Sequence, residues 1–278
     1  TPVWALSGPF EPHITADVAI AAWNYFAVTQ DTAWLREKGF PVIKECADFW
    51  VSRVEKNGPG KYDIKNVVAA DEWAENVDNN AFTNAAAKAN LQYAVMASTI
   101  LQLPIDPQWT DAEKNIPVLK LDNGITSEHA SYKGEKIKQA DVNLLSYPLK
   151  EITDPQQIRE DLEYYESRIG EGSPAMTHAI FSVLYARLND PQKAFQAFQE
   201  AHIPNKKNPF GVLSESAGGT NPYFATGAGG FLQTVLFGFG GLDITRQGLI
   251  QLKTSLPKHW KSLTLTSIGK DKKTYTVK

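Results

Sequence analysis

A chain of 278 residues can bury one large core or two smaller ones, and a composition 42% hydrophobic and 11% aromatic is that of a packed protein, not a disordered one. The 31 acidic and 28 basic residues leave a formal net charge of -3, so no basic field gathers nucleic-acid phosphates or anionic lipid. No apolar run approaches the roughly 20 residues needed to cross a bilayer, and Cys46, the single cysteine, cannot form an internal disulfide.

The start Thr1-Pro2-Val3-Trp4, without an initiator Met, reads as internal to a longer protein. Ile14, Val18, Ala21, Ala22 and Tyr25 then recur at spacings of three and four, which predicts a helix over 14–27 with that stripe buried. A second helix is expected after Asp31 as N-cap. It runs through Leu35, Phe40, Ile43, Ala47, Trp50 and Val54 to a stop at Asn57-Gly58-Pro59-Gly60, with Cys46 as a small buried hydrophobe. A third runs from about Thr83 through Leu91, Val95 and Ile100 and ends before Pro104.

Asp154-Pro155 and Asp190-Pro191 each offer an N-cap followed by proline at the first helical position, predicting helices over about 155–170 and 191–202, with another over 174–189. The glycines that open Thr226–Phe237 imply close approach to another backbone or a ligand. Alternation of Thr with apolar residues over Ser262–Ile268 and Thr274–Val277 predicts terminal strands. The total is about seven helices and two or more late strands, with no strand between helices to build a parallel sheet. Segments 59–82, 104–140 and 203–226 are longer than helical hairpins need, and loops of that length in compact domains are usually functional or disordered. Their aromatic and amide content argues against disorder.

The first loop contains Asp71-Glu72-Trp73-Ala74-Glu75-Asn76-Val77-Asp78-Asn79-Asn80, a mixture of carboxylates, carboxamides and an indole. Sugars call for that mixture, because their hydroxyls need planar bidentate partners and their C–H faces pack on aromatic rings. A calcium loop and a plain solvated turn are the competing readings, and the spacing lacks the alternating ligands of an EF-hand. The second loop, Pro209 to Phe224, places Glu215 among small, apolar and aromatic residues, where a carboxyl can be tuned or can hold a water. Lys138-Gln139-Ala140-Asp141 opens a short apolar helix and could hold sugar hydroxyls, exposed charge being the common alternative. The five histidines are scattered, and no Cys–His zinc spacing, phosphate loop or Ser-His-Asp arrangement stands out.

Taken in order, His13-Ile14-Thr15-Ala16-Asp17, Asp71-Glu72-Trp73 with Glu75 to Asn80, Lys138-Gln139-Ala140-Asp141-Val142 and Thr226-Gly227-Ala228-Gly229-Gly230-Phe231-Leu232-Gln233 resemble glycoside hydrolase family 65 over nearly the whole chain. That family includes kojibiose, maltose and trehalose phosphorylases and a smaller set of hydrolases. The resemblance implies that Glu72 is the general acid and that Lys138 and Gln139 grip the glucosyl unit, with Asp71, Trp73 and Thr226 as further substrate contacts. Trp73 stands where phosphorylases commonly carry Tyr, which points to the hydrolase branch. Phosphorylases hold phosphate on a Ser/His-rich segment that falls near 170–178, and here Glu171 would repel it. Hydrolytic members carry a Glu shortly before the Thr-Gly-x-Gly-Gly-Phe motif, the place of Glu215, so water is the expected nucleophile. Inversion then implies an acid and a base about 6.5 to 9.5 Å apart, with Glu72 drier than Glu215 and no metal or organic cofactor.

The fold implied is mainly α, the later part of an (α/α)6 toroid with a small C-terminal β extension. The expected division is 1–245 for the second half of the barrel and 246–278 for the β segment, the N-terminal β-sandwich and first half of the barrel being absent. The expected partners are a glucose-containing disaccharide or oligosaccharide, kojibiose-type α-1,2-glucosides favoured, and the preceding segment as a separate chain or fragment. Neither nucleic acid nor membrane is expected, a homodimer is compatible, and a periplasmic or extracellular site fits. An inverting phosphorylase and a non-catalytic glycan-binding helical module remain the alternatives.

Overall fold

The computed structural model describes residues 5–221 and 223–278. Thr1–Trp4, on which the reading of the chain start rests, and Pro222 of the second loop lie outside the described residues. Contacts divide the chain into two compact units: one runs to Glu135 and takes in Pro148–Glu151 and Arg246–Gly248, and the other holds Lys136–Tyr147, Ile152–Thr245 and Leu249–Lys278. Both are mainly helical, as expected, and among the described residues no helix is long and apolar enough to cross a membrane.

The first unit contains α1 (Ser7–Phe10), α2 (His13–Thr29), α3 (Thr32–Trp34), a π-helical turn over Leu35–Gly39, α4 (Phe40–Arg53), α5 (Ala81–Leu101) and α6 (Pro107–Asn115). Asp31 caps α3 as expected, its Oδ1 accepting from Trp34 N at 2.9 Å. Helix α4 stops at Arg53, and β1 (Glu55–Lys56) and β2 (Tyr62–Asp63) pair antiparallel across the Asn57–Gly60 turn. Helices α2, α4 and α5 pack on one another, with Trp23 stacked on Tyr93 at 4.9 Å and Ile43, Ala47, Trp50 and Leu91 fully buried. Cys46 is half-buried. Ala85, Ala86, Ala87, Ala89, Ala94 and Ala97 are buried around α5. Small side chains let neighbours approach this helix from several sides, which is why it shows no single apolar stripe.

Two sequence expectations are corrected here. The stripe predicted to be buried on α2 is not: Ile14, Val18, Ala21 and Tyr25 are exposed, whereas His13, Ala16, Ala19, Trp23, Phe26 and Ala27 are buried. Both sets obey helical spacing, and alanines with an indole form the inward face because α4 and α5 lie close. Segment 104–140 also contains α6, opened by Asp106, whose Oδ1 accepts from Gln108 N at 2.9 Å. This is the same Asp-Pro signal that predicted the later helices.

In the second unit, a 3-10 turn over Val142–Leu145 precedes α7 (Pro155–Glu166), α8 (Met176–Arg187), α9 (Pro191–Glu200), α10 (Ala225–Gln233) and a π-helical turn over Thr234–Phe239. Asp154 Oδ2 accepts from Gln157 N at 3.0 Å and Asp190 Oδ1 from Lys193 N at 3.2 Å, so both predicted caps form. The core joins Phe181, Leu184, Tyr185, Ala194, Ala197 and Phe239, with Trp260 packed against it. Strands β3 (Lys206–Lys207) and β4 (Val212–Leu213) pair antiparallel between helices. Strands β5 (Leu242–Thr245) and β6 (Gly248–Gln251) precede the antiparallel pair β7 (Leu263–Ile268) and β8 (Lys273–Val277), where the terminal strands were expected.

Of the glycines in α10, Gly227 and Gly230 make the close approaches expected, whereas a Cβ on Gly229 would meet nothing within 4 Å. A Cβ on Gly227 would meet Phe224 Cδ1 at 2.7 Å, and one on Gly230 would meet Ala179 Cβ at 3.0 Å, so α10 approaches α8 closely at Gly230 and a side chain there would force its neighbour to give way. Gly230→Val should therefore destabilise the protein by about 1–3 kcal/mol through overpacking, measured by denaturant unfolding.

Burial pushes the His13 imidazole down to about 4. The unfolded side chain takes its proton near 6.5 and the folded one resists until about 4, so the unfolded state binds more protons in between and stability falls as pH falls through that window. Asp17, pushed up to about 6 by burial, acts with the opposite sign, so the histidine's share is read as the difference between parent and His13→Gln. The variant should lose less stability than the parent between pH 6.5 and 4, by on the order of 1 kcal/mol per pH unit, in urea titrations at each pH.

Candidate active site

Glu72 belongs to the first unit and Glu215 to the second. Each stands on a loop whose backbone is closed by hydrogen bonds, and each is half-buried there. The two residues are alike in this, so their exposure does not rank either as the drier.

The Glu72 loop is pinned at three levels. At its base, Asn79 Oδ1 accepts from Ile64 N at 3.1 Å, Asn79 Nδ2 donates to Asp63 Oδ1 at 2.8 Å, and Asp78 Oδ1 accepts from Asn66 N at 2.9 Å. Above it, Val67 and Val77 form an antiparallel bridge with bonds of 2.9 and 3.0 Å. At the tip, Ala74 N donates to Asp71 O at 2.9 Å and Trp73 N to Asp71 Oδ1 at 3.2 Å, so Asp71–Ala74 is a turn braced by its own aspartate. Asp71 is 1% exposed and builds this turn. Trp73 is 53% exposed, a flat apolar face next to the acid. Asn76 and Asn79 adopt φ of 55° and 52°, a region asparagine tolerates.

Asn80 joins this loop to α5. Its Oδ1 accepts from Thr83 N at 2.8 Å as an N-cap, and its Nδ2 donates to Glu128 O at 3.1 Å. Asp78, Asn79 and Asn80, three of the residues that suggested sugar ligands, are thus engaged within the protein, and Glu72 and Trp73 stand at the tip.

In the second unit, the segment Gly172–Thr177 is the common support. Ala140 N donates to Thr177 Oγ1 at 3.3 Å, which fixes the strip holding Lys138 and Gln139. That strip is tied on its other side by the Ile137–Ile169 bridge, with Ile137 N to Arg168 O at 2.9 Å and Gly170 N to Ile137 O at 2.8 Å. Gln139 is 8% exposed, and among the described residues its Oε1 has no hydrogen-bond partner. A buried amide oxygen in that state accepts from a ligand hydroxyl without losing an internal bond. Lys138 is half-buried beside it.

Glu215 follows the β3–β4 hairpin. Its carbonyl accepts from Ala175 N at 3.2 Å and from Asn205 Nδ2 at 2.9 Å, and its Oε2 lies 3.4 Å from Asn221 Nδ2. Ser216 Oγ donates to Gly172 O at 3.2 Å. Thr226 is exposed in the first turn of α10, whose Gly227 faces Ala175. Lys138, Gln139, Glu215 and Thr226, separated in sequence, thus lie on pieces of chain that all attach to 172–177. Sequence reasoning did not single out Asn205 or Thr177, and nothing in their local sequence distinguishes them. A separate cleft in this unit, lined by Glu166, His178, Lys193, Glu200 and Asn205, includes none of the predicted site residues.

Comparison with known proteins identifies the family. The family model described as the glycosyl hydrolase family 65 central catalytic domain matches residues 3–133 and 120–207. Proteins named kojibiose hydrolase from Mucilaginibacter mallensis and Flavobacterium johnsoniae are 64% and 58% identical over 100% of this chain, which spans 41% of each. A protein-glucosylgalactosylhydroxylysine glucosidase from Danio rerio is 40% identical over 86% of the chain. The chain thus spans about two fifths of the length of these curated relatives. A solved structure titled putative kojibiose phosphorylase from human microbiome shares the fold, with a TM-score of 0.75 over 95% of this chain and 44% of its own, at 19% identity. By its family match and its relatives, the chain belongs to glycosyl hydrolase family 65 and carries part of that family's central catalytic domain.

Proposed function

We propose that the chain forms part of the catalytic domain of an inverting glycoside hydrolase acting on α-glucosidic linkages, with kojibiose-type α-1,2-glucosides as the favoured substrate. Glu72, protonated, gives its proton to the departing glycosidic oxygen as the bond from C1 breaks. Glu215, ionised, takes a proton from the water whose oxygen forms the new bond to C1 on the opposite face. The glucosyl unit is held by Lys138 and Gln139, the latter through its unpaired buried oxygen, with Thr226 at the start of α10. Trp73 offers a stacking face beside the acid, and Asp71 contributes through the turn that presents both.

The observation that carries hydrolysis over phosphorolysis is the place of Glu215. Its backbone is bonded to Ala175 and its neighbour Ser216 to Gly172, within the 170–178 stretch where the resemblance to phosphorylases locates phosphate. A carboxylate anchored there, together with Glu171, opposes a phosphate dianion and favours a neutral nucleophile. The relatives named kojibiose hydrolase agree. The substrate contacts also require the remainder of the catalytic domain and its preceding segment, in the same protein or as a separate chain.

The complete protein incubated with kojibiose should release glucose whether or not inorganic phosphate is present, with the β-anomer appearing first by proton NMR. Glucose 1-phosphate as the main product would remove Glu215 from the mechanism. Glu72→Gln and Glu215→Gln should each lower kcat on kojibiose by about 10²–10⁴-fold. With α-glucosyl fluoride, whose leaving group needs no proton, activity should return in Glu72→Gln and not in Glu215→Gln.

A further inference from the structure

Asn205 sits just after α9, 3% exposed, where β3 begins. Its side-chain amide donates to two successive carbonyls, Ser214 O at 3.0 Å and Glu215 O at 2.9 Å. Its own carbonyl accepts from Ser214 N at 2.8 Å and lies 3.0 Å from Ser214 Oγ, a hydroxyl that also lies 2.8 Å from Ser216 O. Ala175 N supplies the remaining bond to Glu215 O, at 3.2 Å. The peptide units on both sides of Glu215 are therefore held by one buried side chain and by the segment supporting the Gln139 strip. Two-residue strands such as β3 and β4 cannot fix a following residue on their own. The Asn205 amide extends the ladder by two more bonds, to the residue where rigidity matters.

We infer that Asn205 is the positioning residue for the general base: it sets the backbone of Ser214 and Glu215, and through it the place of the Glu215 carboxylate. This rests on the reading of Glu215 as base given above. In this role Asn205 acts by holding Glu215. A displacement of about 1 Å in a catalytic group can lower the rate by about 100-fold while leaving substrate binding intact. The signature is thus a loss in kcat without a matching change in KM.

The test uses the complete protein and α-glucosyl fluoride, with Asn205→Ala, Glu215→Gln and the double variant. The expected result is a fall in kcat of about 10 to 100-fold for Asn205→Ala, KM within about threefold of the parent, and no further loss when Asn205→Ala is added to Glu215→Gln, because groups acting as a unit are not additive. Parent-like kcat in a folded Asn205→Ala protein, a loss carried in KM, or losses that multiply in the double variant would each overturn the inference. If Asn205→Ala does not fold, Ser214→Ala, which removes a buried hydroxyl from the same clamp, should show the same split at smaller size, and a parent-like Ser214→Ala would count against it. Glu215→Gln alone tests the underlying reading: if it keeps the parent kcat, Glu215 is not the base, whereas a crippled Glu215→Gln with an unaffected Asn205→Ala rejects the role of Asn205 only.

Discussion

A long loop can hold a carboxylate still only if its own buried N–H and C=O groups are paired, and in this protein side-chain carboxamides do much of that pairing. Asn79 and Asn80 close the base of the Glu72 loop and join it to α5. Asn205 closes the Glu215 loop. A carboxamide suits the task because it donates and accepts in one plane, as a peptide does, and so substitutes for a missing strand partner without carrying charge into the interior.

The two glutamates meet the same constraint in different ways. Glu72 stands at the tip of a turn that Asp71 braces from within, on a loop zipped by one β-bridge. Glu215 stands beyond a short hairpin, fastened from outside by Asn205 and Ala175. On the proposed reading of the two as acid and base of an inverting reaction, they have to stay apart, leaving room for water on one face of the sugar. Separate, individually rigid loops suit that requirement better than one shared element, since a catalytic group is useful only when its support is fixed to a fraction of an ångström.

The second unit adds a constraint of size. Gly227 faces Ala175 and Phe224, and Gly230 faces Ala179, so α10 can lie against the start of α8. That contact holds the 172–177 segment to which the Gln139 strip and the Glu215 turn are both bonded. Small residues thus affect the site without touching the chemistry, through how closely backbones approach.

Local signals in the sequence determined where most helices begin. Asp31, Asp154 and Asp190 cap their helices because an N-cap interaction spans only two or three residues and needs no tertiary partner. The same signal stands at Asp106, which caps α6. The motifs around Glu72 and Lys138, which lie within the family match, carried the family, since a motif is itself a sequence property. Tertiary structure decided the rest. Which face of α2 is buried depends on the proximity of α4 and α5, not on the apolarity of Ile14 or Val18. That Asp78, Asn79 and Asn80 serve the backbone while Trp73 stays exposed depends on where the β-bridge closes. The part played by Asn205 depends on bonds to residues nine and ten positions away, contacts that exist only once the hairpin has folded and that no local pattern encodes.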